Sequence, residues 1–266
     1  MGKLQKLRLG RLTVLSCHPV LDQVARDLVA GLRVDSLPDT RITVYVGLHR
    51  KFGIHRFRLG KRVAIQTEHY FDADGRKMWR KMKRWRTLIA AILNHRIMDL
   101  SASNHPHYDF LPAILRQRVS FGPEIFPCAP PEFRPGTDGS FLFFGEINER
   151  RRLLIMAQPS GMVDVARPGT FSDDLQHLMA RASGILNLHY AEGRYSEMPR
   201  LLAACLAGKV IMSEPLGDEL VQGRDYLALG HYPSENQARM VFENFWRNFA
   251  IHHRFSDFLR NVAGRS

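Results

Sequence analysis

Short apolar runs alternate with stretches of helical spacing along the chain. Runs of strand length occupy residues 11–20, 41–49, 61–70, 95–104 and 118–127, and each ends in polar or glycine-bearing residues. After the first run, LDQVARDLVAGLR has apolar residues three and four apart, and Gly31 marks its stop. This alternation predicts an α/β fold with a parallel sheet, whose functional groups lie at the carboxyl-terminal edge of its strands.

A change of composition divides the chain. The segment APPEFRPGTDG, residues 129–139, has three prolines and two glycines in eleven residues, which predicts a stiff linker. Beyond it the alternation resumes, with Ser172 as a plausible helix N-cap, and the pattern is helical from Ser234 onward. We therefore predict two Rossmann-like domains, at 1–130 and 139–266, that face each other across a ligand-binding cleft, with helices at the C-terminus.

Charge and composition restrict the partners. The 266 residues carry a formal net charge of +12, so we expect an anionic partner: nucleic acid, a phosphorylated small molecule or an acidic membrane surface. No run approaches 18 apolar residues, and the first residues lack the apolar core of a secretory signal. We expect a soluble, cytoplasmic protein. Its three cysteines are widely spaced, match no zinc pattern and are expected to be reduced.

Polar residues are concentrated in GILNLHYAEGRYSEMPRLLAACLAG, residues 184–208. The strand predicted here delivers His189 and Tyr190 at its end, and the next helix is expected to begin near Ser196 as N-cap. Glu197 then lies in the first helical turn, where a carboxylate complements the helix dipole or accepts hydrogen bonds from sugar hydroxyls. Arg200, one turn later, is placed to hold Glu197 or to meet a phosphate.

Four ordered motifs carry a resemblance to a known family. FFGEINERRRLLI, GILNLHY, SEMPRLLAACLAG and VIMSE resemble the carboxy-terminal half of bacterial glycosyltransferases of the GT-B architecture, over Phe141 to about Tyr226, some third of the chain. AIQTEHY and DLSASN in the first half are similar to the acceptor-side domain of that family. The resemblance implies transfer of a sugar from a nucleotide-sugar co-substrate to a glycan or lipid-linked acceptor, without a metal or another cofactor.

The resemblance also implies roles for particular residues. Arg150 and Arg151 would neutralise the diphosphate leaving group, which in such enzymes replaces a metal ion. Many retaining members have a further glutamate where this chain has Ala203, so the stereochemical outcome is left open. The residues expected to bind the donor are Gly145, Asn148, His189, Tyr190, Glu197, Arg200 and Glu214.

An inverting reaction needs a base near the acceptor hydroxyl, whereas a retaining reaction can proceed without one. Glu68 and His69, within QTEHY near a strand end, are the favoured candidates for this base. His18 is a weaker candidate, and further ones are His105, His107 and Tyr108. The spacing of His105 and His107 also suits zinc, but no third ligand is evident, so we predict no metal site.

A basic amphipathic helix is predicted at Arg76–Leu93. Seven of the eleven residues from Arg76 to Arg86 are Lys or Arg, and the apolar residues recur at offsets of three, four and seven. This pattern suits peripheral contact with an anionic membrane, or a helix that packs on its own sheet with its basic side in water. The alternative function is a non-catalytic α/β protein that binds nucleic acid through Arg76–Arg86. Nucleic acid is the less favoured partner, because no RNA- or DNA-binding motif is present.

Overall fold

The chain forms two compact units, and both have mixed α/β architecture, which confirms the predicted fold class. The structure, a computed structural model, describes residues 4–48, 50, 52, 57–78 and 83–264. Unit 1 comprises residues 1–128 and 253–266, and unit 2 comprises residues 129–252. The predicted second domain, 139–266, thus differs at its end, because the last residues cluster with unit 1.

Unit 1 is built on a six-stranded sheet whose spatial order follows the chain. Its first strand is antiparallel to the second, and the other strands are parallel. We did not predict the first strand, because Lys and Arg alternate with its leucines and no continuous apolar run is present. The strands are β1 (Gln5–Leu9), β2 (Leu12–Ser16), β3 (Ile42–Val46), β4 (Lys61–Gln66), β5 (Arg96–Asp99) and β6 (Val119–Phe121).

Among the described residues, three α-helices lie between these strands in the chain: α1 (Pro19–Ala30), α2 (Arg84–Leu93) and α3 (Ala113–Arg116). Ala90 and Ala91 of α2 pack in one apolar cluster with Ala64 and Ile97 of the sheet. The small alanine side chains let the helix approach the strands closely, and this contact fixes which side of α2 is buried.

The prediction of one helix over Arg76–Leu93 is wrong at its start. Lys77 forms an antiparallel bridge with Phe71, and the Arg76 N–H donates to the Asp72 carboxylate at 2.8 Å, so this part is a turn. Residues 79–82 of the predicted helix lie outside the described residues.

Unit 2 has a parallel five-stranded sheet in the order β11-β10-β9-β7-β8. The chain passes from β7 to β8 on one side and then returns to β9 on the other side of β7. This reversal creates a topological switch point, where the loops after β7 and β9 diverge and leave room for a ligand. The strands are β7 (Phe141–Phe143), β8 (Val163–Val165), β9 (Gly184–Asn187), β10 (Val210–Ser213) and β11 (Leu227–Ala228).

The helices of unit 2 are α4 (Glu149–Met156), α5 (Ser172–Arg181), α6 (Met198–Ala207) and α7 (Glu235–Asn248). Ser172 is not an N-cap as predicted, because Phe171 occupies that position and Ser172 has a φ of 54°. After α7 a 3-10 turn at Ala250–His252 interrupts the predicted helical segment, and α8 (Phe255–Gly264) belongs to unit 1.

The proline-rich segment 129–139 is packed within unit 2. Phe133 is buried in the core against Phe242, and the Arg134 N–H donates to the Gly208 carbonyl at 2.9 Å. The prolines restrict the backbone of this segment, which runs along the surface of unit 2. Among the described residues, no helix has the length and apolar character needed to cross a bilayer.

Candidate functional site

The loops that follow β7 and β9 meet at the switch point of unit 2, and Asn148 joins them. Asn148 is the N-cap of α4, and its side-chain oxygen accepts from the Arg151 N–H at 2.9 Å. Its amide nitrogen donates to the Tyr190 carbonyl at 2.7 Å, so one side chain fixes both the start of α4 and the loop after β9. The two motifs separated by some forty residues therefore form one site.

Glu197 lies between two buried arginines. Its carboxylate accepts from Arg151 Nη2 at 2.7 Å and from Arg200 Nη1 at 2.8 Å. The side chains of Arg151 and Arg200 are only 4% and 8% exposed, whereas that of Glu197 is 19% exposed. Arg151 also donates to the carbonyls of Leu188 and Glu146, so most of its N–H groups are already used.

The start of α6 differs from the sequence prediction. Glu197, not Ser196, is the N-cap residue, and its side chain makes no capping hydrogen bond. The Ser196 hydroxyl instead donates to Glu219 at 2.7 Å and accepts from the Gly217 N–H at 3.1 Å. Because the Glu197 carboxylate is not needed by the helix, it is available to the two arginines.

Arg150 forms a second ion pair in the same region. Its guanidinium contacts both oxygens of Glu214, which follows β10, and donates to the His189 carbonyl at 3.1 Å. Glu214 also accepts from the His189 N–H at 2.7 Å. Arg150 is the more accessible of the two predicted leaving-group arginines, since its side chain is 29% exposed.

Arg200 connects this cluster to the sheet. It donates to the Asn187 side-chain oxygen at 2.6 Å, and its guanidinium lies 5.3 Å from the ring centroid of Phe143. Gly145 has a φ of +128°, and a Cβ added there would lie 3.1 Å from Arg200 Nη2. Glycine is therefore required here by backbone conformation and by the close approach of the guanidinium. Ala203 is buried in α6, so no acidic side chain is available at that position.

His189 is buried and neutral in character. Its Nδ1 lies 2.9 Å from the Gly193 carbonyl, and its ring stacks on Tyr195 with centroids 4.2 Å apart. Its Nε2 is buried and has no hydrogen-bond partner among the described residues. Burial lowers the pKa of His189, so the uncharged ring with a proton on Nδ1 is favoured. Tyr190, the neighbouring predicted donor residue, lies under the Arg151 guanidinium at 5.4 Å.

The charges in this cluster do not balance. Three guanidinium groups, of Arg150, Arg151 and Arg200, meet two carboxylates, of Glu197 and Glu214. Burial alone would raise the pKa of Glu214, but hydrogen bonds from Arg150 and the His189 N–H lower it below its usual value, so it stays ionised. The only further carboxylate acting on Arg150 among the described residues is Glu192, which is exposed to water. Within the buried part of the cluster one positive charge remains in excess, and such a charge is costly unless a ligand compensates it.

The candidate bases lie in unit 1, in the segment after β4. Glu68 is partly buried and His69 is buried, and the Glu68 carbonyl accepts from the Asn104 amide at 2.8 Å. His18 is the N-cap residue of α1. The backbone of Glu68 is thus held at the carboxyl-terminal edge of the first sheet, and His69 is the next residue.

A buried polar network at this edge was not predicted from the sequence. Asp99 ends β5 and accepts from the Asn104 amide at 2.9 Å, from the Tyr108 hydroxyl at 2.7 Å and from the Ser101 N–H at 3.0 Å. Asn104 in turn accepts from the Tyr70 N–H at 2.7 Å. Burial raises the pKa of Asp99 to about 7, although its hydrogen bonds oppose the shift. The motif DLSASN, which contains Asp99 and Asn104, is the sequence feature from which this network could have been predicted.

The two histidines of SNHPHYDF have separate surroundings. His107 Nε2 lies 2.9 Å from the Thr87 hydroxyl, whereas His105 Nδ1 lies 3.8 Å from Asp109. Within the part of the chain that the structure describes, no three His, Cys, Asp or Glu residues are grouped as metal ligands. Tyr108 is committed to Asp99.

No protein-family model matches the chain, and no curated protein matches it in sequence. Among solved structures, it is similar to TarM, with a TM-score of 0.39 and 10% identity over 90% of this chain and 54% of that chain. It is also similar to HepE (Alr3699) of Anabaena in complex with UDP, with a TM-score of 0.43 and 10% identity over 94% of this chain and 77% of that chain. The chain thus spans about half the length of TarM.

Proposed function

We propose that the protein is a metal-independent glycosyltransferase of the GT-B architecture, which transfers a sugar from a nucleotide sugar to a glycan or lipid-linked acceptor. The observation that carries this proposal is the excess positive charge of the buried cluster at the switch point of unit 2. A diphosphate there supplies the missing negative charge, and parallel α/β sheets bind ligands at such points.

The geometry supports a division of labour between the arginines. Arg150 is the exposed one and is assigned to the diphosphate, whose charge increases as the bond to the sugar breaks. Arg151 is buried and already bonded to Glu197 and to backbone carbonyls, so it acts as a positioning residue. Glu197, a carboxylate with two acceptor oxygens, is assigned to donor hydroxyls, and Gly145 allows the backbone to approach the phosphates.

The remaining predicted residues shape the same site. Asn148 fixes the loop after β9, and the buried His189 ring supports that loop by stacking on Tyr195. For an inverting reaction, Glu68 and His69 remain the proposed bases for the acceptor hydroxyl.

A pair of adjacent variants tests the donor site. Arg150→Gln removes the proposed diphosphate contact, whereas Arg152→Gln removes the same charge from an exposed side chain of the same helix, which pairs with Glu149. Calorimetric titration with UDP, GDP, ADP and CMP, and their sugar derivatives, should find a binder. We expect R150Q to weaken its binding at least tenfold and R152Q to change it less than threefold.

Turnover of the sugar derivative that binds is then measured by release of the free nucleotide. Equal losses in R150Q and R152Q would contradict the assignment of the site. Absence of binding by the wild-type protein to every member of the panel would contradict the function itself.

Peripheral membrane contact is proposed for the outer side of α2. Trp85, Ile89 and Ile92 are spaced four and three residues apart and are 54%, 42% and 55% exposed, beside Arg84 and Arg86. Aromatic and aliphatic side chains flanked by basic ones suit the headgroup region of an anionic bilayer. Cosedimentation with anionic vesicles should fall in the W85S/I89S variant, and unchanged binding would refute the proposal.

A further inference from the structure

A row of basic and hydroxyl side chains lies on one face of the unit 1 sheet, at the amino-terminal ends of its parallel strands. Arg8 of β1 pairs with Thr13 of β2, which pairs with Thr43 of β3. Because side chains alternate along a strand, residues two positions apart share a face, and Arg11 and Arg41 precede the two threonines by two positions. All five residues therefore belong to the same face of the sheet.

These side chains line an open cleft of about 480 Å³. This volume lies within the range of small-molecule sites. The polar floor is made by threonine hydroxyls, and arginines form the walls. The lining residues are Arg8, Gly10, Arg11, Thr13, Arg41, Thr43, Arg58 and Leu59.

The cleft has a large excess of positive charge. Of the described residues that line it, four are arginines and none is acidic. Arg11 forms an ion pair with Asp39 at 2.9 Å, but that carboxylate is 92% exposed, so the pair is screened by water. Within the described residues, Arg8 and Arg41 have no carboxylate partner. Lys6, on the same face, has a lowered pKa because of desolvation and the nearby charges of Arg8 and Arg58.

We propose that this cleft is a second anion site, which binds a ligand carrying at least two phosphate groups. Guanidinium groups match phosphate oxygens in bidentate geometry, and hydroxyls donate to the remaining oxygens. Within the described residues, Arg8 and Arg41 of the cleft and Lys6 on the same face have no carboxylate partner, and these three charges are more than a single phosphate neutralises. The match is therefore to a diphosphate, or to two phosphate monoesters on one molecule.

The lining also restricts the rest of the ligand. Among the described lining residues, Leu59 is the only apolar side chain of any size, and none is aromatic. Stacking of nucleobases needs aromatic surfaces, so the cleft suits the phosphates of a saccharide or a lipid headgroup better than a nucleic acid strand. The site is built entirely from unit 1 and does not depend on the function proposed for unit 2.

Inorganic pyrophosphate is the probe, and two double variants of the full-length protein are compared by calorimetry. R8Q/R41Q removes two charges from the cleft. R26Q/R33Q removes two charges from exposed side chains of unit 1 outside it, so both variants lower the net charge equally. We expect R8Q/R41Q to weaken pyrophosphate binding at least tenfold and R26Q/R33Q less than twofold.

Hydrogen exchange separates this site from the arginine cluster of unit 2, which also attracts pyrophosphate. The expected result is protection of peptides that cover residues 5–13 and 41–46, and loss of that protection in R8Q/R41Q. Protection confined to residues 145–151, or equal weakening in the two double variants, would overturn the proposal. R8K/R41K keeps the charges without the bidentate geometry, and we expect it to retain part of the affinity.

A vesicle arm distinguishes the sources of the phosphates. Vesicles of phosphatidylcholine with and without phosphatidylglycerol are cosedimented with the same variants. If R8Q/R41Q loses both pyrophosphate and anionic vesicles, the phosphates belong to lipid headgroups. If it loses only pyrophosphate, the ligand is a soluble phosphorylated compound. Both results support the site, whereas binding of neither probe by the wild-type protein would refute it.

Discussion

The two units place buried polar networks at the same edge of their sheets, but with opposite electrostatic character. In unit 1, Asp99 at the end of β5 is bonded to an amide, a hydroxyl and a backbone N–H, and its pKa rises to about 7. In unit 2, Glu214 after β10 is bonded to a guanidinium, and its pKa falls. Neutral partners make a carboxyl group part of a scaffold, whereas arginines keep it ionised and leave the site charged for a ligand.

The largest effect is expected where a charge is removed from the unit 2 cluster. Glu197→Ala leaves Arg151 and Arg200 buried without their shared carboxylate, and breaking a buried ion pair in this way costs about 3–5 kcal/mol. Urea unfolding measures this loss. Glu149→Ala, which breaks an exposed pair on α4, is the matched control and should cost under about 1 kcal/mol. Similar losses in both variants would show that the cluster is not electrostatically coupled.

The unit 1 network should make stability depend on pH in the opposite sense to an ordinary aspartate. Between about pH 4 and 7 only the folded state keeps Asp99 protonated, so the free energy of unfolding falls as the pH rises, by up to about 1.4 kcal/mol per pH unit. Below this window both states are protonated, and above it both are ionised. Asp99→Asn keeps the shape and removes this slope.

Urea unfolding from pH 4.5 to 7.5 tests this point through the difference between wild type and D99N, which cancels the titration of the histidines. Asp27 should also make the free energy of unfolding fall as the pH rises, because burial raises its pKa to about 7. Asp27→Asn therefore serves as a comparison. A wild-type minus D99N difference that does not change with pH would mean that Asp99 is ionised, as in unit 2.

A smaller effect is expected for Gly145→Ala. The φ of +128° is strained for alanine, and the new Cβ crowds Arg200 Nη2, so a loss of about 1–3 kcal/mol and weaker nucleotide binding are expected. Gly139→Ala is the control, because its φ is +71° and a Cβ there meets nothing within 4 Å. Its cost should be about 1–2 kcal/mol, without loss of binding. Equal binding by the two variants would separate Gly145 from the site.

The smallest effect concerns the junction of the two loops in unit 2. Asn148→Ala removes the cap of α4 and the bond to the Tyr190 carbonyl, with a loss of about 1 kcal/mol in thermal or urea unfolding. Asn148→Asp keeps the cap but cannot donate to Tyr190. If the junction organises the donor site, N148D should keep the cap of α4 and lose nucleotide affinity; unchanged affinity would limit Asn148 to capping.

Local patterns in the sequence predicted most elements, whereas the resemblance to bacterial glycosyltransferases implied most of the unit 2 cluster. The residues of this cluster are brought together because each follows a strand of one parallel sheet, and the carboxyl-terminal ends of parallel strands lie at one edge. They are Arg150, Arg151, Glu197, Arg200 and Glu214. Whether Arg151 faces a ligand or a glutamate was not predictable, since that depends on burial. The use of Glu197 rather than Ser196 as the N-cap likewise depends on a tertiary contact, between Ser196 and Glu219.

Other features depend on contacts between distant parts of the chain. β1 alternates Lys and Arg with leucine and pairs with β2 through a tight turn at Gly10, so its apolar residues are too few to mark a strand. The Asp99 network joins β5 to the segment after β4 through Asn104. The membership of α8 in unit 1 follows from packing alone, since its amphipathic pattern would suit either unit.

The return of α8 to unit 1 has a consequence for biosynthesis. Unit 2 is one uninterrupted segment inserted into unit 1, and α8 leaves the ribosome only after all of unit 2. The inserted unit can therefore acquire its packing while its host still lacks a helix. Unit 1 is therefore the first unit to be synthesised in part, and it completes its fold after unit 2.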